Sequence, residues 1–272
     1  AFMPGMLPRG NQVREASIDL VALVSSVDLE PEAREQVDAR LAPYVGTLTD
    51  VRVQRLATEL EGQREVAVFH AKSVTRGENG AVEVRINSED EGFEVVERAQ
   101  RRMAEAIQAM VTLNRTTLDR VIEGLPQAQA QLLRDTYDRQ AYPGIFRDRG
   151  PARARLESAL SLDLTDVQRS AVETLNRKFQ EEVARLRAAM VTVEREGGDS
   201  MPMAGDFDPE QFRRMRTRAN DLRRLRFELT ELDGRTLQQL AGILTTDQAT
   251  RIGGLEPQAP EEREAVQFIQ MP

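Results

Sequence analysis

Residues 164–168 read Leu164-Thr165-Asp166-Val167-Gln168, and residues 244–248 read Leu244-Thr245-Thr246-Asp247-Gln248, two instances of one pattern, L-T-x-x-Q. Each predicts a helix start. A threonine at the N-cap accepts from an early backbone N–H, a glutamine three residues on reaches back to the cap, and the preceding leucine staples the entering chain onto the next turn. Such a cap contributes about 0.5–2 kcal/mol per helix, so the pattern needs no ligand to explain it. Leu164, Thr165, Gln168, Leu244, Thr245 and Gln248 are read as helix-capping residues and not as ligand contacts.

Beyond the first motif, Leu175, Phe179, Val183, Leu186 and Met190 recur at helical spacing from Thr165 to about Arg195, where Gly197-Gly198 ends the pattern. Asp208-Pro209-Glu210-Gln211 then marks another start, with Asp at the N-cap, Pro at the first helical position and Gln at the third. That helix runs through Leu222, Leu225, Leu229, Leu232 and Leu240, and a last one begins at Thr245 and weakens at Gly253-Gly254. A short helix over Ala152–Leu160 completes a second helical unit at 148–255.

The same unit is legible upstream. A shift of 119 residues places Phe93 on Phe212, Leu113 on Leu232, Thr117-Leu118 on Thr236-Leu237, Leu125 on Leu244 and Gln129 on Gln248. A shift of 135 places Asp28-Leu29 on Asp163-Leu164 and Val37 on Val172. The chain therefore reads as a duplication, with the first copy at 13–147, an N-terminal arm at 1–12 and a C-terminal tail at 256–272. In the first copy a helix is expected from Val13 to Ser25. A long one follows Leu29-Glu30-Pro31-Glu32 and carries Val37, Leu41, Val45, Leu48, Leu56 and Leu60, with Pro43 expected to bend it. A helix over Gly92–Glu123 carries Val96, Met103, Ile107, Met110, Leu113 and Val121; a fourth carries Leu132, Leu133 and Tyr137 and stops before Tyr142-Pro143-Gly144. Val82, Val84 and Ile86 alternate with Glu83 and Arg85, a weak strand signal inside the connector at 73–91.

Composition agrees with an all-α fold of two tandem four-helix units with long bent helices. Aromatic residues make up 4% of the 272, with no Trp and three Tyr, whereas strand-rich folds lean on aromatic and β-branched residues. The 37 basic and 45 acidic residues give a net charge of -8 and a pI near 5.1, which argues against a nucleic-acid binder that works by neutralising phosphates. With no Cys, a disulfide framework, a thiolate nucleophile and Cys-ligated metal sites are excluded. No run approaches the roughly 18–20 apolar residues that span a bilayer. The first residue is Ala, as in a processed or trimmed chain; cleavage after a small-residue site leaves such a start, so an exported, periplasmic protein with its signal removed is the expectation.

Two L-T-x-x-Q motifs in one Cys-free helical chain resemble the Spy/CpxP-like family of bacterial periplasmic stress proteins. The resemblance covers residues 151–254 best. In the first copy the corresponding stretches, Leu29-Glu30-Pro31-Glu32-Ala33 and Leu125-Pro126-Gln127-Ala128-Gln129, keep the Leu and once the Gln but not the Thr. The resemblance implies a four-helix protomer that pairs into a curved cradle and serves as an ATP-independent chaperone or a modulator of envelope-stress and metal responses. A fused pair could form its own cradle, or two independent units could be joined near Gly144–Pro151; a homo-oligomer is a further option.

The remaining candidates weigh less. His70 is the only imidazole, so neither a catalytic triad nor a His-cluster metal site is available, and no cofactor is expected. Met201 and Met203 could offer thioethers to Cu(I), but a partner contact or a plain loop explains them as well. The arginines of 213–226 read as a solvated face that could also attract protein clients over long range. Phe2, Met3, Met6 and Leu7 are apolar residues in an arm, where a partner could bury them. No catalytic spacing of Ser, Asp and His is present. The expected function is that of a periplasmic, ATP-independent chaperone-like or stress-related binding protein whose partners are unfolded proteins. The alternative is an accessory subunit of a larger envelope assembly.

Overall fold

The computed structural model describes residues 10–76, 82–84, 91–147, 150–196 and 209–253. The protein is all-α. In chain order its elements are α1 (Gly10–Ala16), α2 (Leu20–Ser25), α3 (Pro31–Ser73), β1 (Val74–Arg76), β2 (Val82–Val84), α4 (Glu91–Ile122), α5 (Gln127–Ala141), α6 (Pro143–Phe146), α7 (Ala152–Leu160), α8 (Asp166–Glu196), α9 (Pro209–Ile243) and α10 (Thr246–Ile252). They form two compact units. The first comprises the chain up to Phe146 together with residues 194–218, and the second comprises 147–193 and the chain from Ala219 onward.

The frame of the first unit is α3 packed along α4, with α1 laid against α4 and α5. Val37, Leu41, Tyr44 and Leu48 of α3 and Ile107, Met110, Val111, Leu118 and Val121 of α4 are buried, recurring every three or four residues as a core-facing stripe must. At 43 residues, α3 is about 65 Å long at 1.5 Å per residue, and Pro43 lies within it. Of the strand read at 82–86, residues 82–84 form β2 and the rest lie outside the described residues: β1 pairs antiparallel with β2, Val74 opposite Val84 and Arg76 opposite Val82.

One expectation for this unit is corrected. The helix read over 13–25 is two helices. Asp19 interrupts it as the N-cap of α2, its carboxylate accepting from the N–H of Val21 and Ala22 at 3.0 and 3.2 Å. Partial burial pushes the Asp19 carboxyl up, but those bonds and the Arg52 guanidinium outweigh it and hold it below the usual value. As expected, α5 ends at Ala141, before Tyr142-Pro143-Gly144, and Pro143 then opens the short α6, since Pro at a first helical position lacks only an N–H that would have had no partner. The six apolar residues read along α3 fall on two sides of the helix. Val37, Leu41 and Leu48 are buried, whereas Val45, Leu56 and Leu60 are exposed. Their phases around the helix differ by roughly 60–120° at 100° per residue, so one helix carries two apolar faces.

The turn between α4 and α5 has a specific requirement. Gly124 adopts a positive φ of 79°, a conformation that favours glycine, and a Cβ there would sit 3.1 Å from an Arg40 nitrogen. Arg40 needs that space, since its Nη1 donates to the carbonyls of Arg120 and Val121 at the end of α4.

In the second unit, Leu156 of α7, Val172, Phe179 and Val183 of α8, Leu240 of α9 and Ile252 of α10 belong to one buried cluster that also takes in Leu164 and Leu244. The shifts found in the sequence recur in the structure. The starts of α3 and α8 lie 135 residues apart and those of α5 and α10 lie 119 apart. Paired positions are also alike in burial: Leu29 with Leu164, Val37 with Val172, Tyr44 with Phe179, Leu48 with Val183, and Thr117 with Thr236 are all buried.

Candidate functional site

The two L-T-x-x-Q motifs come together in the second unit. Thr245 and Gln248 form a capping box: Thr245 Oγ1 accepts from the Gln248 N–H at 3.3 Å, and Gln248 Oε1 accepts from the Thr245 N–H at 2.9 Å. Thr165 and Gln168 repeat it at 3.3 and 3.1 Å. Leu164 and Leu244 are buried in the adjoining core, as a staple requires. The arrangement then goes further than capping. Gln168 Nε2 donates to the carbonyl of Ile243 at 3.1 Å and to Gln248 Oε1 at 2.9 Å. Gln248 Nε2 donates to the carbonyl of Asp163 at 3.0 Å and to Gln168 Oε1 at 3.4 Å. Each amide thus reaches the carbonyl two residues before the other motif's threonine, and the amides bond each other. The result is a reciprocal clasp that holds the start of α8 against the start of α10, with both Nε2 groups fully used. Asp166, Val167 and Ser170 of α8, with Gly242 and Ile243 of α9, line an open groove of about 880 Å³ beside it.

The corresponding place in the first unit lacks the clasp, for chemical reasons that can be named. Ala33 stands where Gln168 would be, and Pro126 stands where Thr245 would be. Pro126 has no N–H and no hydroxyl, and α5 starts without a side-chain cap bond. Gln129 Oε1 is left buried without a hydrogen-bond partner.

The first unit is held instead by a buried polar network that the sequence reading did not single out. Glu15 is fully buried. Its carboxylate accepts from Arg115 Nε and Nη2 at 2.7 and 2.8 Å, from the Tyr137 hydroxyl at 2.9 Å and from the Tyr142 hydroxyl at 2.8 Å. Beside it, Asn114 Nδ2 donates to the carbonyls of Glu15 and Ile18 at the end of α1, while its Oδ1 accepts from the Tyr44 hydroxyl at 2.8 Å. These are all three tyrosines of the chain. Burial is the main reason each phenol is pushed up, and the Glu15 carboxylate adds to it for Tyr137 and Tyr142. For Arg115, burial works against the charge but the Glu15 bonds prevail and raise it. Lower in the same unit, Asp138 pairs with Arg195 and Glu194 with Arg218; burial pushes the Asp138 carboxyl up, against the pull of Arg195. The only sequence signal for this network was that an aromatic-poor chain keeps its tyrosines in one half.

Neither polar cluster is an opening for chemistry, because its donors and acceptors are spent on each other. Among the described residues no group of three or more His, Asp or Glu side chains could hold a metal ion. Phe2, Met3, Met6, Leu7, Met201 and Met203 lie outside the described residues, as does the side chain of His70.

What the surface does offer is an apolar face. Along α3, Val45, Val53, Leu56 and Leu60 are 50%, 62%, 58% and 66% exposed. At 100° per residue they fall within an arc of roughly 80°. Ala42, Thr49, Gln63 and Ala67, also exposed, lie in the same arc. The result is an uncharged ribbon about 38 Å long at 1.5 Å per residue, edged by Asp50, Arg52, Glu61 and Arg64. No family model, no curated protein and no solved structure matches the chain.

Proposed function

We propose that this protein is an exported, ATP-independent chaperone-like binding protein, and that the outer face of α3 is where it takes hold of non-native protein segments. The observation that carries the reading is the ribbon of Val45, Val53, Leu56 and Leu60. A helix that already buries Val37, Leu41 and Leu48 gains nothing in folding from a second apolar face, and contiguous exposed apolar surface on a polar chain marks interaction. Its mixed charged edge suits transient capture, with charge assisting encounter and apolar contact holding the segment. No helix among the described residues is long and apolar enough to cross a membrane.

The resemblance of the L-T-x-x-Q pair to the Spy/CpxP-like proteins supports the same reading. So does the proposal that the two units are tandem copies of one four-helix design, for which the matching helix starts and burial are the support. On that reading the second copy kept the clasp, while the first lost it to Pro126 and Ala33 and added α1, anchored through Glu15.

The test is suppression of aggregation of a chemically unfolded client by the full chain, in the absence of nucleotide, against a Val53→Ser/Leu56→Ser/Leu60→Ser variant. The wild type is expected to suppress aggregation near stoichiometry. The variant, which removes only solvent-exposed apolar groups, is expected to bind clients roughly tenfold or more weakly while keeping its helix content. No suppression by the wild type would overturn the proposal. Constant-stoichiometry recovery with one fixed complex would replace it by the assembly-subunit reading.

A further inference from the structure

The uncharged ribbon on α3 carries a finer pattern than exposure alone. Gly46, Thr49, Val53, Leu56, Leu60, Gln63 and Ala67 follow one another at alternating intervals of three and four residues, and all of them are exposed. A mean interval of 3.5 residues is the seam along which one helix winds against another. An extended segment fits it poorly, since side chains on one face of a strand recur about every 6.6 Å, against about 5.4 Å for a helical turn. The seam is about 32 Å long at 1.5 Å per residue and lies wholly within the first unit. Its large apolar side chains, Val53, Leu56 and Leu60, sit in the middle.

The charges beside the seam are inverted about its midpoint. One edge carries Asp50 towards the start and Arg64 towards the end, with Ala57 halfway; the other edge carries Arg52 and then Glu59. Asp50, Glu59 and Arg64 have no ion pair among the described residues. Arg52 has an exposed one, with Asp19 at 3.3 Å. The neighbouring Glu61 and Glu65 are taken by Arg102 of α4.

We infer that α3 pairs with α3 of a second copy of this chain, antiparallel, about a two-fold axis near residues 55–57, and that the pair closes the ribbon. This arrangement sets Asp50 of each chain beside Arg64 of the other and Arg52 beside Glu59, while Val53, Leu56 and Leu60 of both chains meet around the axis. Such reciprocity is what a two-fold interface requires, because one patch must complement itself. A parallel pair brings together only Glu59 and Arg64, and leaves Asp50 beside Val45 and Arg52 beside Ala57. Flanking charges of this kind set partner and orientation more than strength. With Gly46, Thr49, Gln63 and Ala67 at its ends the seam has few large apolar groups, so the pairing is reversible. Pairing into a cradle would leave the binding face open, whereas this pairing covers it. On the reading that the ribbon holds non-native segments, on which this last step rests, the pair is the closed state of that site and a client must displace the second copy.

The experiment is sedimentation of the full chain, without client, over rising concentration. A reversible monomer–dimer equilibrium is expected, and Val53→Ser/Leu56→Ser/Leu60→Ser should weaken it by roughly a hundredfold or more. Asp50→Arg sets an arginine beside Arg64 twice and should weaken it by about tenfold, and the swap Asp50→Arg/Arg64→Asp should restore it. Each variant should keep the wild-type helix content. In a chain without cysteine, spin labels on Ala57→Cys should be neighbours across the axis, and those on Ala67→Cys should stand about 30 Å or more apart. Chains that stay monomeric, a dimer indifferent to these variants, a swap that does not restore pairing, or neighbouring labels at position 67 would each overturn the inference. Because Asp50→Arg keeps the apolar groups, it should bind an unfolded client better than the wild type at concentrations where the wild type is paired. Undiminished client binding by the paired wild type would overturn the closure. A dimer that forms as described in a protein that binds no client refutes the chaperone-like reading and keeps the pairing; client binding by a strict monomer does the reverse.

Discussion

Replacing Gln168 by Ala removes more than a cap. The side chain gives up bonds to the Ile243 carbonyl at 3.1 Å, to Gln248 Oε1 at 2.9 Å and to the Thr165 N–H at 3.1 Å. At about 0.5–1 kcal/mol each for half-buried amides, the loss comes to about 1.5–3 kcal/mol. A capping role alone predicts only the reach-back bond, on the order of 0.5–1 kcal/mol. Gln248→Ala should cost a similar amount. The two changes together should cost about 1 kcal/mol less than their sum, because the amide–amide bond is removed by either one. Urea unfolding followed by far-UV circular dichroism reads this as a midpoint shift on the order of 1 M for each single variant. All three tyrosines, Tyr44, Tyr137 and Tyr142, lie in the first unit, so the tyrosine signal serves as an internal control and should move less. Strict additivity of the pair, or single losses no larger than a cap bond, would refute the clasp.

Three further outcomes follow from the first unit. Glu15→Gln leaves the Arg115 guanidinium without its buried counter-charge and should destabilise this unit by about 3–5 kcal/mol, read as an earlier loss of tyrosine near-UV dichroism; Glu15→Leu/Arg115→Leu should cost less than Glu15→Gln. Each phenol is raised in the folded state, so its contribution is complete below the unfolded value near 10 and is lost as pH rises beyond it. Tyrosinate absorbance should therefore appear cooperatively, together with helix loss, above about pH 10; a non-cooperative step near pH 10 with helices intact would contradict the network. Pro126→Thr restores an N–H toward Gln129 Oε1 and a cap hydroxyl, and should raise the first unit's urea midpoint by the equivalent of about 0.5–1 kcal/mol.

Much of this fold is legible in the sequence because helix starts are written in local chemistry. Thr165, Thr245 and the Asp208-Pro209 pair announce α8, α10 and α9 to within a residue, and the stripe of Leu175, Phe179, Val183, Leu186 and Met190 is buried as read. Long-range partners are harder to read. The glutamines read only as local caps, because nothing in either five-residue motif says that Gln168 and Gln248 meet across 80 positions. Glu15 carries no local mark in the sequence, and only tertiary packing brings Arg115, Tyr137 and Tyr142 to it. Spacing alone does not sort the six apolar residues of α3, because 45, 56 and 60 belong to a different side of the helix from 37, 41 and 48.

The proposal that the outer face of α3 holds non-native segments is open to a direct measurement. The chain contains no cysteine, so Leu56→Cys places a single environment-sensitive dye at the middle of the ribbon, and Ser158→Cys on the exposed side of α7 places one in the second unit as a reference. On titration with a permanently unfolded client, a blue shift and quenching protection are expected at position 56, saturating with the client and lost in the Val53→Ser/Leu60→Ser background, with no change at position 158. Client binding that leaves the dye at position 56 in water, or alters both positions equally, would contradict it.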